Sequence, residues 1–434
     1  MTTITTTDDT NDNSVQSALL DSQQAQSPLE YARAQWQRVR SGDLGNIPVI
    51  LGLVLIGLFF QSQSDVFLTP RNVVNIVVQM AGIAIIAYGI VFVLLLGEID
   101  LSVGYISAVG GVGVAIMLRD SLTYDYLSWM DWWNVIPIAL LITTLIGLVQ
   151  GSIISFFQLP SFIVTLAGFL IWSGVVLIII GDGGTVNIQN TFVRNLASSV
   201  LSPTLTWITT MVFVALFAGI DFYTAMVRRR AGLRAKPQSI LMLQTVVMVL
   251  AGIYIAWLFN INRALSPVAT PQRGMPVIAA LMVILLIILT FVAENTRFGR
   301  YVYAIGGNKE AARRAGIQVE RIRIIVFGIA GLMAGFGGIV LASRLKSVAP
   351  NAGGGDLLLF VIAAAVIGGT SLFGGRGKVS SALLGALVVA SVENGMPLIS
   401  NSSGVKFIVT GFVLLAAVII DALSRRRQKQ SGLR

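Results

Sequence analysis

Residues 73–118 read VVNIVVQMAGIAIIAYGIVFVLLLGEIDLSVGYISAVGGVGVAIML: two apolar runs, 73–96 and 103–118, joined by a break that carries the carboxylates Glu98 and Asp100. An uninterrupted apolar run of this length suits a membrane-crossing helix, which takes about 20 residues. The pattern recurs along the chain. A sliding window of about 19 residues picks out 47–60, 73–96, 103–118, 135–156, 161–181, 205–222, 240–259, 276–293, 324–343, 357–373, 379–399 and 405–422. These runs account for a composition that is 55% hydrophobic and 12% charged over 434 residues, with a mean hydropathy of +0.82. The expected fold class is all-α, a polytopic membrane helical bundle of about 12 transmembrane helices. A soluble enzyme, a disordered protein and a nucleic-acid-binding domain are excluded as classes by the same numbers.

The chain has no His and no Cys. It therefore offers no imidazole or thiolate metal ligand, no disulfide, no Cys nucleophile and no Ser-His-Asp relay. No catalytic residue, metal site or directly bound cofactor is expected. The net charge of +10 is first an orientation signal in a membrane protein, and only then a pointer to partners.

Residues 1–28 are polar, carry acidic but no basic residues and read as a disordered tail; Leu29–Arg40 follows as a candidate interfacial helix or a solvated segment. With the N-terminus inside and each run crossing once, the inside segments are 1–46, 97–102, 157–160, 223–239, 294–323, 374–378 and 423–434. They hold 22 of the 30 Lys and Arg, so both termini are expected in the cytoplasm. The expected organisation is a cytoplasmic tail 1–46, a transmembrane domain 47–422 and a basic cytoplasmic tail 423–434. The outside loop 119–134 carries Tyr124, Tyr126, Trp129, Trp132 and Trp133, suited to an aromatic belt at the lipid interface.

Glycine is unusually frequent, at 44 residues, and it clusters. Gly104 to Gly113 and Gly328 to Gly338 place small residues three and four apart, Gly331 with Gly335 among them. This spacing serves either close helix packing or a flexible, pore-lining break. In the first break, Asp100 precedes Ser102 by two residues and reads as a cap for the next helix, or as part of a translocation path. A second break, Gly368-Gly369-Thr370-Ser371-Leu372-Phe373-Gly374-Gly375-Arg376-Gly377-Lys378, lies at the end of the tenth run as the first lies at the end of the second. Paired glycine-interrupted helices point to a transporter with two related halves. The second break is not a phosphate loop: Leu372 stands where the first Gly belongs, and Val379 follows Lys378 where Ser or Thr is needed.

The longest basic inside loop, 294–323, reads ENTRFGRYVYAIGGNKEAARRAGIQVERIR. Gly306-Gly307-Asn308 starts a helix there, Lys309 to Ala315 continues it and Gly316 ends it. So short a helix is unstable alone in water and must dock on lipid, on its own bundle or on a soluble partner.

The segment Tyr303 to Ile317 resembles the cytoplasmic coupling loop of monosaccharide permeases of ABC importers, the ribose and xylose type. Gly97 to Gly104 and Gly368 to Gly377 resemble the other two signatures of that family, in the same order. The resemblance covers about 70–422. It is strongest to the xylose permeases, which carry extra apolar segments around a basic loop such as Arg228-Arg229-Arg230-Ala231-Gly232-Leu233; Glu98 departs from the Gly that the family commonly has.

The resemblance implies a type II ABC importer permease in a prokaryotic cell membrane. It assigns Gly307, Asn308, Lys309, Glu310, Ala311, Ala312, Arg313 and Gly316 to coupling with an ATPase. It assigns Glu98, Asp100, Ser102, Gly104, Gly369, Thr370, Ser371 and Gly374 to the translocation path or its helix breaks. The implied partners are a second permease chain in a homodimer, a cytoplasmic ABC ATPase subunit that uses the ATP, an extracytoplasmic sugar-binding protein and membrane lipid, with no nucleic acid. The implied cargo is a monosaccharide, xylose or another pentose. The alternative, an ion-coupled secondary transporter of a small polar solute, needs ionisable groups deep in its bundle, and away from the breaks and interfaces the apolar runs carry almost none.

Overall fold

The computed structural model describes residues 47–400 apart from 182–183, 233–236, 265 and 267–269, together with isolated positions between 402 and 419. The tails 1–46 and 423–434, the candidate interfacial helix and most of the run 405–422 lie outside the described residues.

In chain order the helices are α1 (Ile47–Gln63), α2 (Pro70–Leu95), α3 (Val103–Thr123), α4 (Trp132–Phe156), α5 (Ser161–Ile180), α6 (Thr191–Asn195) and α7 (Pro203–Arg230). They continue with α8 (Gln238–Asn260), α9 (Val277–Asn295), α10 (Arg297–Gly307), α11 (Lys309–Arg314), α12 (Val319–Leu345), α13 (Leu357–Ile367) and α14 (Val379–Ile399). Among the described residues, α2, α3, α4, α5, α7, α8, α9, α12 and α14 are long and apolar enough to cross a membrane, while α1 and α13 are apolar but shorter. The strands are two residues each: β1 (Val186–Asn187) pairs antiparallel with β2 (Ser347–Val348).

Local chemistry sets many of the helix ends. Thr69 caps α2, accepting from the Asn72 amide at 3.4 Å, and Pro70 takes the first helical position, where a missing N–H costs nothing. Asp131 and Asn134 form a capping box on α4. The run expected at 357–373 shortens to α13 because Gly368 and Gly369 follow Ile367, and Gly369 at φ +94° takes a left-handed conformation that a helix cannot continue. The expected loop 294–323 instead contains two helices: α10, capped by Thr296, whose Oγ1 accepts from the Gly299 amide at 3.1 Å, and α11.

The described chain forms two compact units. The first comprises Val49–Val200 and Pro276–Leu414. Its centre is α2, of which 89% of the most apolar stretch is buried, packed against α12. The small residues anticipated at 104–113 and 328–338 bring α3, α4 and α12 together. A Cβ on Gly110 would stand 2.9 Å from the Gly335 Cα, and one on Gly331 would collide with the Thr143 carbonyl. Close packing is thus what the spacing achieves.

The second unit contains Leu201–Met275, with α7 and α8 packed together where Gly252 meets Val214. α7 extends to Arg230, so Arg228, Arg229 and Arg230 form its last turn, where positive charge complements the helix dipole. Arg263 donates to the Phe259 carbonyl at the end of α8 and to the Gly274 carbonyl at 2.8 Å. Only 22% of the most apolar stretch of α8 is buried, and Leu243, Leu250 and Trp257 are exposed. An apolar exposed surface of this kind is stable against lipid or another apolar protein face, not against water.

Candidate functional site

All three motifs lie in the first unit, and they meet. α2 ends at Leu95, and its carbonyl accepts from the Gly375 amide at 2.8 Å, joining the first break to the second. Gly306, in the last turn of α10, lies between them: a Cβ there would collide with the Leu95 carbonyl and stand 2.5 Å from the Gly375 nitrogen. On Gly374 it would be 2.9 Å from both the Gly306 carbonyl and the Gly97 nitrogen. Gly374 and Gly375 also have φ of +85° and +69°, so their need for glycine is conformational as well as steric. The Tyr303 hydroxyl closes the ring by donating to the Gly377 carbonyl at 2.8 Å. Residues about 200 and 70 positions apart in sequence thus form one backbone junction.

Two polar networks flank this junction. Asp100 is buried, and one of its carboxylate oxygens accepts from the Ser102 amide at 2.8 Å and from the Ser102 hydroxyl at 2.5 Å. Ser102 itself is the residue before α3 and makes no side-chain cap, so the capping group expected of this break is supplied by Asp100 from two positions upstream. Burial pushes the Asp100 carboxyl above its ordinary pKa, and the Ser102 hydrogen bonds pull the other way.

The Ser102 Oγ also lies 2.9 Å from Gln150 Oε1 of α4, while Gln150 Nε2 is buried against Gly168 without a partner. One hydroxyl proton cannot serve two acceptors. Turning the amide so that Nε2 donates to Ser102 leaves that proton for Asp100. Ser161 and Thr165 of α5 hold the backbone of Ile99 from the other side, at 3.2 and 3.3 Å.

The second network is ionic. Glu98 pairs with Arg323, in the second turn of α12, at 2.6 Å, and both side chains are largely buried, at 16% and 9% exposed. A pair this desolvated is costly to break on one side only. Lys309 lies close by: although its side chain is exposed, partial desolvation, with Arg323 adding to it, lowers its pKa below the usual ammonium value, and Glu98 opposes the shift.

Helix α11 stands outward from the junction. Asn308 caps it, accepting from the Ala311 amide at 2.9 Å. Its end is a Schellman turn: the Gly316 amide bonds to the Arg313 carbonyl, the Ile317 amide to the Ala312 carbonyl, and Gly316 has φ +81°. Ala312 is buried, whereas Lys309, Glu310, Ala311 and Arg313 are exposed. Arg313 reaches back to Glu320 of α12 at 2.8 Å and to Glu310 at 3.3 Å.

The expected site residues therefore fall into separate places. Gly307 and Gly374 belong to the junction, since a Cβ on Gly375 would stand 3.0 Å from the Gly307 Cα. Glu98 joins the ion pair, and Asp100 with Ser102 the buried hydrogen-bond network. Gly104 packs against the Gly353 carbonyl. Gly369, Thr370 and Ser371 form the turn after α13, with Thr370 fully buried beneath Gly377. Gly97, Gly306, Gly375, Tyr303, Arg323 and Gln150 were missed. The glycines and Tyr303 lie inside the quoted motifs, and Gln150 is a polar residue within an apolar run, a signal worth following. Arg323 has no local signal, since any charge beside a span can be an orientation charge.

Residues 72–418 match the family described as a permease component of branched-chain amino acid transport systems. The chain belongs to this permease family. The permease is 37% identical to a xylose transport system permease protein of Escherichia coli (strain K12), over 90% of this chain and 94% of that one. It is 32% identical to the xylose transport system permease protein of Haemophilus influenzae, over 90% and 99%, and 30% identical to the ribose import permease protein of Bacillus subtilis, over 90% and 98%. No solved structure matches. The permease is a multi-pass membrane protein and a transport component, not an enzyme.

Proposed function

We propose that this chain is the pathway-forming permease of an ATP-driven ABC importer for a monosaccharide, with xylose, or another pentose, as cargo. The pathway lies in the transmembrane domain 47–422. Two such chains pair, an extracytoplasmic binding protein delivers the sugar, and a cytoplasmic ATPase subunit supplies ATP hydrolysis. The observation that carries the proposal is the meeting of the three motifs: an exposed, capped helix α11 stands directly on the backbone junction that joins both helix breaks. The names of the relatives, xylose and ribose permeases, supply the sugar.

In this mechanism α11 is the contact for the ATPase. Because α11 is held to α12 through Arg313–Glu320 and the base of α12 to the first break through Arg323–Glu98, a push on α11 moves the helices as a body. The break residues Asp100, Ser102, Gly369, Thr370 and Ser371 hold the ends of the moving segments.

The test is Glu310→Arg in the assembled importer. Glu310 is exposed and its pair with Arg313 is a surface one, so bundle stability is little affected. The expected result is normal insertion with sugar-stimulated ATP turnover abolished. Normal turnover in this variant would sink the coupling assignment.

A further inference from the structure

At the far end of α12 from the junction lies a cavity of about 380 Å³, within the first unit, whose lining includes Ser107, Arg344, Asn351, Asp356 and Glu393. Its size falls in the range of small-molecule sites. Its depth follows from α13, which has 11 residues and so spans about 16 Å, about half the hydrocarbon thickness of a bilayer. One end of α13 connects through Gly368–Gly375 to the junction, so its other end, at Asp356, begins about halfway through the bundle.

The segment before it agrees with that depth, because Gly353 lies against Gly104 in the first turn of α3, with a Cβ there 2.6 Å from the Tyr105 Cα. Non-helical backbone at such a depth is tolerated only where it is packed in protein or lines a polar cavity. The wall is held rigidly. Lys346 ends α12 in a left-handed conformation at φ +57°, β2 pairs with β1, and the Ser343 hydroxyl accepts from the Ala197 amide at 2.9 Å.

The lining has two characters. Arg344 offers donors only, Asp356 and Glu393 acceptors only, Asn351 both, and Ser107, whose hydroxyl donates to the Gly104 carbonyl at 2.6 Å, an acceptor. Asp356 occupies the N-cap position of α13 yet makes no side-chain cap, which leaves its carboxylate to the cavity. Ile83, Leu341 and Phe360 line it as well, Leu341 three residues before Arg344 on α12 and Phe360 four after Asp356 on α13. Two carboxylates, one guanidinium and the positive end of the α13 dipole leave the site close to neutral overall. A ligand matched to this lining is small, uncharged, rich in hydroxyls that both donate and accept, and apolar on its C–H faces.

On the basis of the monosaccharide reading above, we infer that this cavity is where the permease itself holds a neutral polyhydroxy solute during passage, with Asn351, Asp356, Glu393 and Arg344 bonding its hydroxyls. Intramembrane ionisable groups are expensive and kept for function. Glu393 is the one of the three that lies inside an apolar run, 379–399, while Arg344 and Asp356 border the ends of the runs 324–343 and 357–373.

The full importer, reconstituted in proteoliposomes with its ATPase and binding protein, tests this. Because the chain has no native Cys, Ala352→Cys, at a lining position that bonds no hydroxyl, gives one reporter, labelled with an uncharged maleimide. Saturating D-xylose should slow labelling at least threefold, sodium glutamate should not, and a Ser128→Cys control should be unaffected by either. Glu393→Gln should lower labelled xylose uptake about tenfold per inserted complex, a loss that combines a hydrogen bond to a charged group with a weaker hold on Arg344, which Glu393 attracts. Wild-type xylose uptake combined with unprotected Ala352→Cys and full uptake by Glu393→Gln would overturn the cavity assignment, as would equal protection by glutamate. Protection by xylose without any uptake would keep the cavity and remove the importer reading instead.

Discussion

The two ends of the first unit are built on opposite plans. At the junction, backbone touches backbone: Leu95, Gly306, Gly374 and Gly375 leave no room for a single Cβ, and the flanking charges Glu98 and Arg323 are in direct contact. At the other end, helices α3, α12, α13 and α14 stand around about 380 Å³ of open space whose mainly apolar lining also carries Arg344, Asn351, Asp356 and Glu393. The difference teaches where displacement can be transmitted and where it can be absorbed. Close-packed interiors pass strain on, whereas a void yields to what enters it.

The sharpest way to break this comparison is to put a side chain into the solid end. Gly306→Val drives a branched side chain into the Leu95 carbonyl and the Gly375 amide, and should cost about 4 kcal/mol or more, in the class of severe overpacking. The expected readout is loss of inserted, detergent-stable protein. A variant as stable as the parent would show that the junction is not close-packed.

Next in size is the buried ion pair. Arg323→Leu leaves Glu98 buried without its partner and should cost about 3–5 kcal/mol, while the double variant with Glu98→Leu should recover most of it. Thermal unfolding of the four proteins in a double-mutant cycle measures this, and additive losses would mean that the contact carries no coupling.

A smaller effect belongs to the hydrogen-bond network. Asp100→Ala strands the Ser102 amide and hydroxyl and should cost about 1–3 kcal/mol. Asp100→Asn keeps an acceptor oxygen and should retain most stability and transport. Since burial raises the Asp100 pKa, the carboxyl contributes more stability when protonated. That contribution is full below the unfolded pKa and declines as pH rises through the folded one. The Asp100→Asn variant should flatten this dependence, and its total loss of transport at normal expression would place Asp100 in the pathway instead of at a cap.

Smallest of all, Gly113→Ala meets only the flexible Met117 side chain at 3.5 Å. It should be neutral or stabilise by up to about 1 kcal/mol through reduced chain entropy. A large loss there would mean that glycine is required throughout α3 and not only at its contacts.

Much of this arrangement is legible in the residues themselves. Hydrophobic runs are long because lipid demands a full crossing, so spans such as 73–96 and 324–343 stand out without tertiary knowledge. Caps are equally local, since Asn308 and Gly316 bound α11 through contacts only a few residues away. The shortening of 357–373 to α13 was legible too, in Gly368-Gly369, but an apolar window averages over a turn that polar and apolar residues share.

What the chain alone determined is thus its membrane-spanning class, the position of its two breaks and its short basic helix, because hydrophobic length, capping and glycine conformation act over a few residues. Only tertiary structure decided that the breaks and the loop form one junction, that Glu98 answers Arg323, and that Arg344, Asp356 and Glu393 share a cavity. These are contacts between residues far apart in sequence. Their partners are chosen by helix packing and by the cost of leaving a buried charge or polar group alone, neither of which is written in any local pattern.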